Sequence, residues 1–239
     1  MYLKRTLFIL KRLGLDYYNY YCKSFKQNYS EFSDRTKLEC NTHEIGQFIW
    51  HRLLPIVGTN PYPPHELMLM CCAALWLRPK LIVEWGTNIG IAARIFHEVN
   101  IRYKLDADIH SIDLPDSSQH IEHPGLNVGL LISGLRVHLH QGDGATVAAS
   151  ILRDKGVQRP LIFIDGDHAK DSVIRDAKTV LEVVPRAGLL FHDTFFQPMS
   201  NYNHGPYEAI QEILKDLGNS VQIIEAGLGP PGMTFVIQK

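Results

Sequence analysis

Neither sign of charge is in excess in this chain of 239 residues: 24 Lys and Arg face 25 Asp and Glu, for a formal net charge of -1. A protein that holds a polyanion through its overall field needs a basic surplus, and no basic patch stands out beyond the N-terminus, so nucleic acid is not an expected partner. Cysteine is scarce as well. Cys22, Cys40, Cys71 and Cys72 lack the C-x-x-C spacing of a zinc site, and the adjacent pair lies in the apolar run 67–77. They read as reduced core thiols of a cytoplasmic protein. No apolar run reaches the roughly 18 residues of a membrane helix, so no transmembrane segment is expected. The first twelve residues begin with positive charge, but Lys11 and Arg12 cut their apolar segment short and no small-residue cleavage site follows, which argues against secretion. A basic amphipathic opening of this kind could instead rest on a membrane surface or pack on the domain or a neighbouring subunit. Repeats and low-complexity tracts are also missing.

With 45% hydrophobic and 21% charged residues, the chain can bury one substantial core. Residues 1–60 carry helical spacing in 3–13, 16–25 and 43–54 without strong strand signals, and are read as an N-terminal helical extension. A turn-rich break at 58–64 precedes a helix over about 65–77, and residues 61–239 are expected to form one domain. Strands are predicted over 81–84, 108–114, 135–140, 161–165, 188–192, 221–225 and 234–237, with helical segments between most of them. Such alternation implies an α/β fold: a Rossmann-like, seven-stranded, mostly parallel sheet with helices on both faces.

The richest stretch is Leu81-Ile82-Val83-Glu84-Trp85-Gly86-Thr87-Asn88-Ile89-Gly90, a buried-strand pattern running through Glu-x-Gly-x-x-x-Gly into the helix-like 91–97. Glycines admit positive φ and a close ligand approach, and open α/β sheets bind ligands at the carboxyl ends of their strands. Gly-x-Gly-x-x-Gly, which seats a pyrophosphate on a helix N-terminus, is absent. A carboxylate at Glu84 repels phosphate and attracts an amine, with Gly86 and Gly90 giving the backbone room. Asp113, ending the second strand, is placed to bind a ribose diol. Gln141-Gly142-Asp143-Gly144 follows the third strand, and Asp143 is expected beside an adenine. The alternative for Asp113 is a helix N-cap or turn aspartate, and Gly-Asp-Gly is also an ordinary turn.

The fourth and fifth strands deliver Asp165-Gly166-Asp167-His168 and His192-Asp193. Carboxylates with an imidazole can hold a divalent ion, which makes Asp165, His192 and Asp193 the candidate ligands. An ion so held acidifies an acceptor hydroxyl, and His168 is positioned as a general base. The alternative is that these groups only cap helices and bond to loops. His138 and His140 share one face of the third strand and are left outside the site. The aromatic, amide-rich segment 195–207 is the expected acceptor lid, and its low charge favours a neutral acceptor such as a sugar or phenol.

Glu-x-Gly-x-x-x-Gly resembles the first motif of class I methyltransferases, in which the attracted amine belongs to S-adenosylmethionine. Ile-Asp-Gly-Asp-His followed by Leu-Phe-His-Asp-Thr is similar to the cephalosporin-hydroxylase-like and macrocin-type sugar O-methyltransferases, relatives of catechol O-methyltransferase. This resemblance covers roughly 64–239. It implies S-adenosylmethionine as cofactor, an antiparallel last strand, and methyl transfer to a hydroxyl of a small molecule: a sugar, phenol or other natural product. It further implies magnesium at Asp165, His192 and Asp193, with His168 where the catechol enzymes carry a lysine base. His192 stands where a carboxylate is usual, which keeps manganese, zinc or no metal open beside magnesium. Relatives often pair through N-terminal extensions, so a homo-oligomer built on 1–60 is a further expectation. Two other classes share the sheet. An NAD-dependent oxidoreductase should show Gly-x-Gly-x-x-Gly, and a non-catalytic binding module would lack the acidic and histidine-bearing rim.

Overall fold

The computed structural model describes residues 41–118, 127–196, 204–227 and 229–238. The basic opening and the rest of 1–40 lie outside them. Helix α1 (Thr42–Phe48) starts where the Asn41 side chain accepts from the Glu44 N–H at 3.1 Å, an N-cap. A π-turn (Ile49–Leu53) leads into α2 (Leu54–Val57). Helix α3 (Pro64–Leu77) opens with proline in its first turn and ends at Arg78, whose φ is 45°. It is apolar nearly all round, as a fully packed helix must be.

The sheet strands are β1 (Leu81–Trp85), β2 (Asp108–Asp113), β3 (His138–Gln141), β4 (Leu161–Ile164), β5 (Gly188–His192), β6 (Val221–Ala226) and β7 (Met233–Gln238). Their order is β3-β2-β1-β4-β5-β7-β6, with β7 inserted antiparallel between β5 and β6. The neighbours from β3 to β5 run parallel, which explains why β1, β4 and β5 are apolar and buried throughout. Helices α4 (Ile91–Tyr103), α5 (Gly144–Lys155), α6 (Lys170–Val183) and α7 (His204–Leu217) and two short 3-10 turns (Leu130–Ile132 and Gly218–Ser220) complete the described elements. Six of the seven strands fall within two residues of the expected spans. The third starts at His138 rather than 135, because Leu135 N–H bonds Ile132 and Val137 N–H bonds Leu135 in a local turn, which removes 135–137 from the ladder.

Residues 42–57 rest on α4. Ile45, Phe48, Ile49 and Leu53 are buried, Phe48 meets Tyr103 edge-on at 5.6 Å, and Glu98 takes both Arg52 (2.8 Å) and Arg94 (2.9 Å). Burial of the apolar groups contributes to this contact, and the buried Glu98 carboxylate is paired by both guanidinium groups.

At the sheet edge His110 Nδ1 lies 2.9 Å from His140 Nε2, and the His138 ring stacks on His110 at 4.7 Å. Burial, followed by the neighbouring His138 and His140, lowers the His110 pKa from 6.5 to about 4. The unfolded chain therefore takes up a proton below 6.5 that the folded chain refuses until about 4, so stability falls as pH drops through that window. Thermal melting across it should show this fall, and His110→Phe should flatten the slope; an unchanged slope in the variant would assign the acid lability elsewhere.

Candidate active site

A cleft of about 1180 Å³ lies over the carboxyl ends of β1, β2, β4 and β5 and reaches the loop between β3 and α5. This rim is where a parallel α/β sheet presents its loops for binding. Gly86, just past β1, has φ +87°, and a Cβ there would sit 1.9 Å from the Asp165 carbonyl oxygen. Gly90, at φ +91°, caps α4 against Ile132 and Gly129.

Glu84 is fully buried in β1, next in sequence to Trp85 and Gly86, which line the cleft. The Ser111 hydroxyl donates to its Oε1, and Thr87 Oγ1 joins Ser111 Oγ at 2.6 Å. Its Oε2 is buried without a hydrogen-bond partner among the described residues. Burial pushes the Glu84 carboxyl up to about 8; the Ser111 bond opposes the rise, and the charges of Asp165 and Asp113 add to it. An orphaned buried carboxylate oxygen is rare in native structures and marks a place where a ligand donor belongs.

Asp113 accepts the backbone N–H groups of Asn88 and Leu114, each at 2.8 Å, so it fastens the glycine turn to β2. Asp143 caps α5 through the Thr146 N–H (2.9 Å) and hydroxyl (2.6 Å), and its other oxygen meets Arg175 at 3.2 Å. Burial alone would raise its pKa, yet these Thr146 bonds and the Arg175 charge hold it below the usual carboxylate range. Both residues line the cleft, and both also serve the fold.

Asp165, His192 and Asp193 come together at the ends of β4 and β5, with one ligand atom from each within 4.8 Å of the others. His192 Nδ1 lies 3.0 Å from Asp165 Oδ1 and 3.0 Å from Asp193 Oδ2. His168 Nε2 lies 2.7 Å from Asp193 Oδ2. Asp167, by contrast, turns to the start of α6, accepting from the Ala169 N–H at 3.0 Å and the Ser172 hydroxyl at 2.7 Å. Burial works against charge on His192, but Asp165, Asp193 and Glu66 outweigh it and raise its pKa well above the ordinary value. Burial likewise opposes ionisation of Asp193, yet His168 and His192 drive it down to about 2. Asp193 also adopts φ 57°, a left-handed conformation rare outside glycine and concentrated at functional sites.

Three contributors escaped the sequence reading. The Tyr62 hydroxyl donates to Asp165 Oδ2 at 2.5 Å, while its ring sits edge-on to His192 at 4.7 Å. Glu66 Oε2 lies 3.1 Å from His192 Nε2, and its only sequence signal is that it is the sole acid in an apolar helix. Trp85 donates to Asp176 at 3.0 Å and floors the cleft so closely that a Cβ on Gly144 would come within 2.4 Å of its ring. The expected lid is partly replaced by helix: His204 to Tyr207 form the first turn of α7, where Phe196 stacks on His204 at 5.5 Å. Residues 197–203 of that segment lie outside the described residues.

Residues 83–194 match a family model described as a methyltransferase domain. Among solved structures, the S-adenosylhomocysteine-bound methyltransferase PaMTH1 of Podospora anserina superposes with a TM-score of 0.54 at 17% identity, covering 95% of this chain and 97% of that one. TomG of Streptomyces achromogenes, an O-methyltransferase of tomaymycin synthesis solved with S-adenosylmethionine, gives 0.54 at 16% identity, covering 92% and 95%. An O-methyltransferase from Bacillus cereus gives 0.50 at 17%, covering 92% and 96%. No curated protein matches the chain in sequence. The sheet order with its antiparallel β7 belongs to the fold that the chain shares with these solved methyltransferases. The chain carries a match to a methyltransferase domain over residues 83–194, on the fold of these cofactor-bound methyltransferases. No helix among the described residues is long and apolar enough to cross a membrane.

Proposed function

We propose that the protein methylates a hydroxyl oxygen of a small, uncharged acceptor with the help of a divalent ion. The observation that carries this reading is the convergence of Asp165, His192 and Asp193 beside His168 on the same cleft as the glycine turn. S-adenosylmethionine fits the near side: the orphaned Glu84 Oε2 is the acceptor its ammonium needs, Gly86 and Gly90 admit the backbone-facing side, Asp113 takes the ribose and Asp143 borders the adenine. When bound, it supplies an electrophilic methyl group for in-line displacement. A divalent ion fits the far side, because two carboxylate oxygens and one imidazole nitrogen are the donors that magnesium or manganese accepts. Such an ion would lower the pKa of an acceptor hydroxyl.

The chain's own groups then divide the work. Asp165 and Asp193 would hold the ion, with His192 as nitrogen ligand, and Tyr62 ties down the second oxygen of Asp165. His168 donates from Nε2 to Asp193, which orients the ring so that its other nitrogen would receive the acceptor proton. Asn60, Pro61, Tyr62, Pro230 and Pro231 line the cleft without formal charge, which supports a sugar, phenol or similar natural product. The buried thiols of Cys71 and Cys72 suit a reducing, cytoplasmic compartment. We assign catalysis to the domain over 61–239 together with Asn60, which lines the cleft, while 42–57 pack against helix α4.

Titration with S-adenosylhomocysteine beside NAD, followed by turnover with manganese or chelator once an acceptor is found, tests this reading. Wild type should bind S-adenosylhomocysteine and not NAD, and Asp165→Ala should keep that affinity while losing metal-stimulated turnover by on the order of 10²-fold. Full activity in chelator would remove the metal, and binding of NAD alone would promote an oxidoreductase.

A further inference from the structure

Glu66 is a charged residue buried in an otherwise apolar helix, and nothing in the chemistry above uses it. Its side chain is fully enclosed. One oxygen, Oε1, accepts the Gly232 N–H at 2.7 Å; the other, Oε2, lies 3.1 Å from His192 Nε2. The opposite nitrogen of the same ring, Nδ1, lies 3.0 Å from both Asp165 Oδ1 and Asp193 Oδ2. An imidazole that ligates a metal through one nitrogen must carry its proton on the other, and the acceptor facing that other nitrogen decides which is which.

We propose that Glu66 is the positioning residue of this centre: it accepts the Nε2 proton of His192 and so presents a bare Nδ1 toward Asp165 and Asp193. This role rests on the metal reading given above. In the empty centre a proton on Nδ1 meets both carboxylates; in a loaded centre Nδ1 would be the third donor atom to the cation beside Asp165 Oδ1 and Asp193 Oδ2. Glu66 is held to its task from the far side. Its Gly232 bond belongs to a short ladder in which Thr194 N–H bonds Gly232 (3.1 Å) and Phe195 N–H bonds Pro231 (3.0 Å). The same carboxylate therefore fixes the ring and the strand entry that carries Pro230 and Pro231 to the mouth of the cleft. Swinging Glu66 toward the ion would break that anchor, which keeps it an orienting group and not a ligand.

Glu66→Gln tests the role with almost no change of shape. With its one carbonyl oxygen retained by Gly232 N–H, the amide must donate toward Nε2, which moves the imidazole proton to Nδ1, the side meant for the metal. Manganese affinity measured by calorimetry on the full chain should fall about 10–100-fold, while affinity for S-adenosylhomocysteine stays at the wild-type value. Nitrogen-15 shifts of His192 in the magnesium-loaded protein should show Nε2 protonated and Nδ1 bare in wild type, and the reverse in the variant. Unchanged manganese affinity in a variant that still binds S-adenosylhomocysteine would overturn the role of Glu66 alone. Wild type that binds S-adenosylhomocysteine but no manganese would overturn the metal reading and this role together. Should the variant fail to fold, the wild-type shifts decide: a protonated Nδ1 in the loaded protein rejects the proposal.

Discussion

Gly86→Ala is expected to abolish cofactor binding and to destabilise the fold by on the order of 3 kcal/mol or more. Two costs add. A φ of +87° costs an L-residue about 1–2 kcal/mol, and the new methyl would meet the Asp165 carbonyl oxygen at 1.9 Å and its carbon at 2.8 Å. Those atoms are backbone directly after β4, a central strand, and cannot swing aside as a side chain would. Overpacking in such a place costs typically 1–3 kcal/mol. Relief requires β1 and β4 to part, which moves Asp165 away from His192 and Asp193. Gly58 gives the control, since its φ is +74° with nothing within 4 Å of an added Cβ. Gly58→Ala should therefore lose only the conformational part and keep S-adenosylhomocysteine binding. Urea midpoints and calorimetric titration of both variants check this, and equal destabilisation of the two would show that the contact with Asp165 is relieved at little cost.

The same contact explains which parts of the molecule were legible in the sequence. Apolar runs bounded by turns located the strands, because a parallel sheet covered on both faces leaves strands such as Leu81–Trp85 and Gly188–His192 little freedom of composition. Asp165, His192 and Asp193 could be picked out because they follow such runs directly, and a strand's end fixes where the next side chain must sit. Glu66 and Tyr62 obey no local rule. They reach the centre from the helix α3 and the turn before it, and their partners Asp165, His192 and Gly232 lie about 100 or more residues downstream. Within Asp165-Gly166-Asp167-His168 the sequence could not show that Asp167 turns to Ala169 and Ser172 at the start of α6 while His168 turns to Asp193. Nor could it show that 204–207 begin a helix, since Gly205-Pro206 reads as a break although proline is at home in a first helical turn.

Affinity for S-adenosylhomocysteine is expected to rise about tenfold per pH unit below the Glu84 pKa, with close to one proton released to solvent per molecule bound. The sign follows from the empty site. Burial, reinforced by Asp165 and Asp113, holds the carboxyl at about 8, so at neutral pH the folded protein keeps a proton that the unfolded chain gives up above about 4.5. Keeping it stabilises the empty fold at low pH, and that contribution is lost as pH rises toward 8. An ammonium beside the orphaned Oε2 reverses the preference, since a charged partner within a few ångströms favours the carboxylate. Binding must then expel the proton, and affinity climbs with pH until Glu84 is already ionised. Glu84→Gln removes the titrating group while keeping the Ser111 contact, so it should weaken binding by on the order of 10–100-fold, the worth of one charge-assisted hydrogen bond, and leave what remains independent of pH. Calorimetry at pH 6.5, 7.5 and 8.5, in buffers of different ionisation enthalpy, reads both the slope and the proton count. A wild-type affinity that is flat with pH and releases no proton would mean that the amine is held elsewhere and that Glu84 is buried for the sake of Ser111 and Thr87 alone.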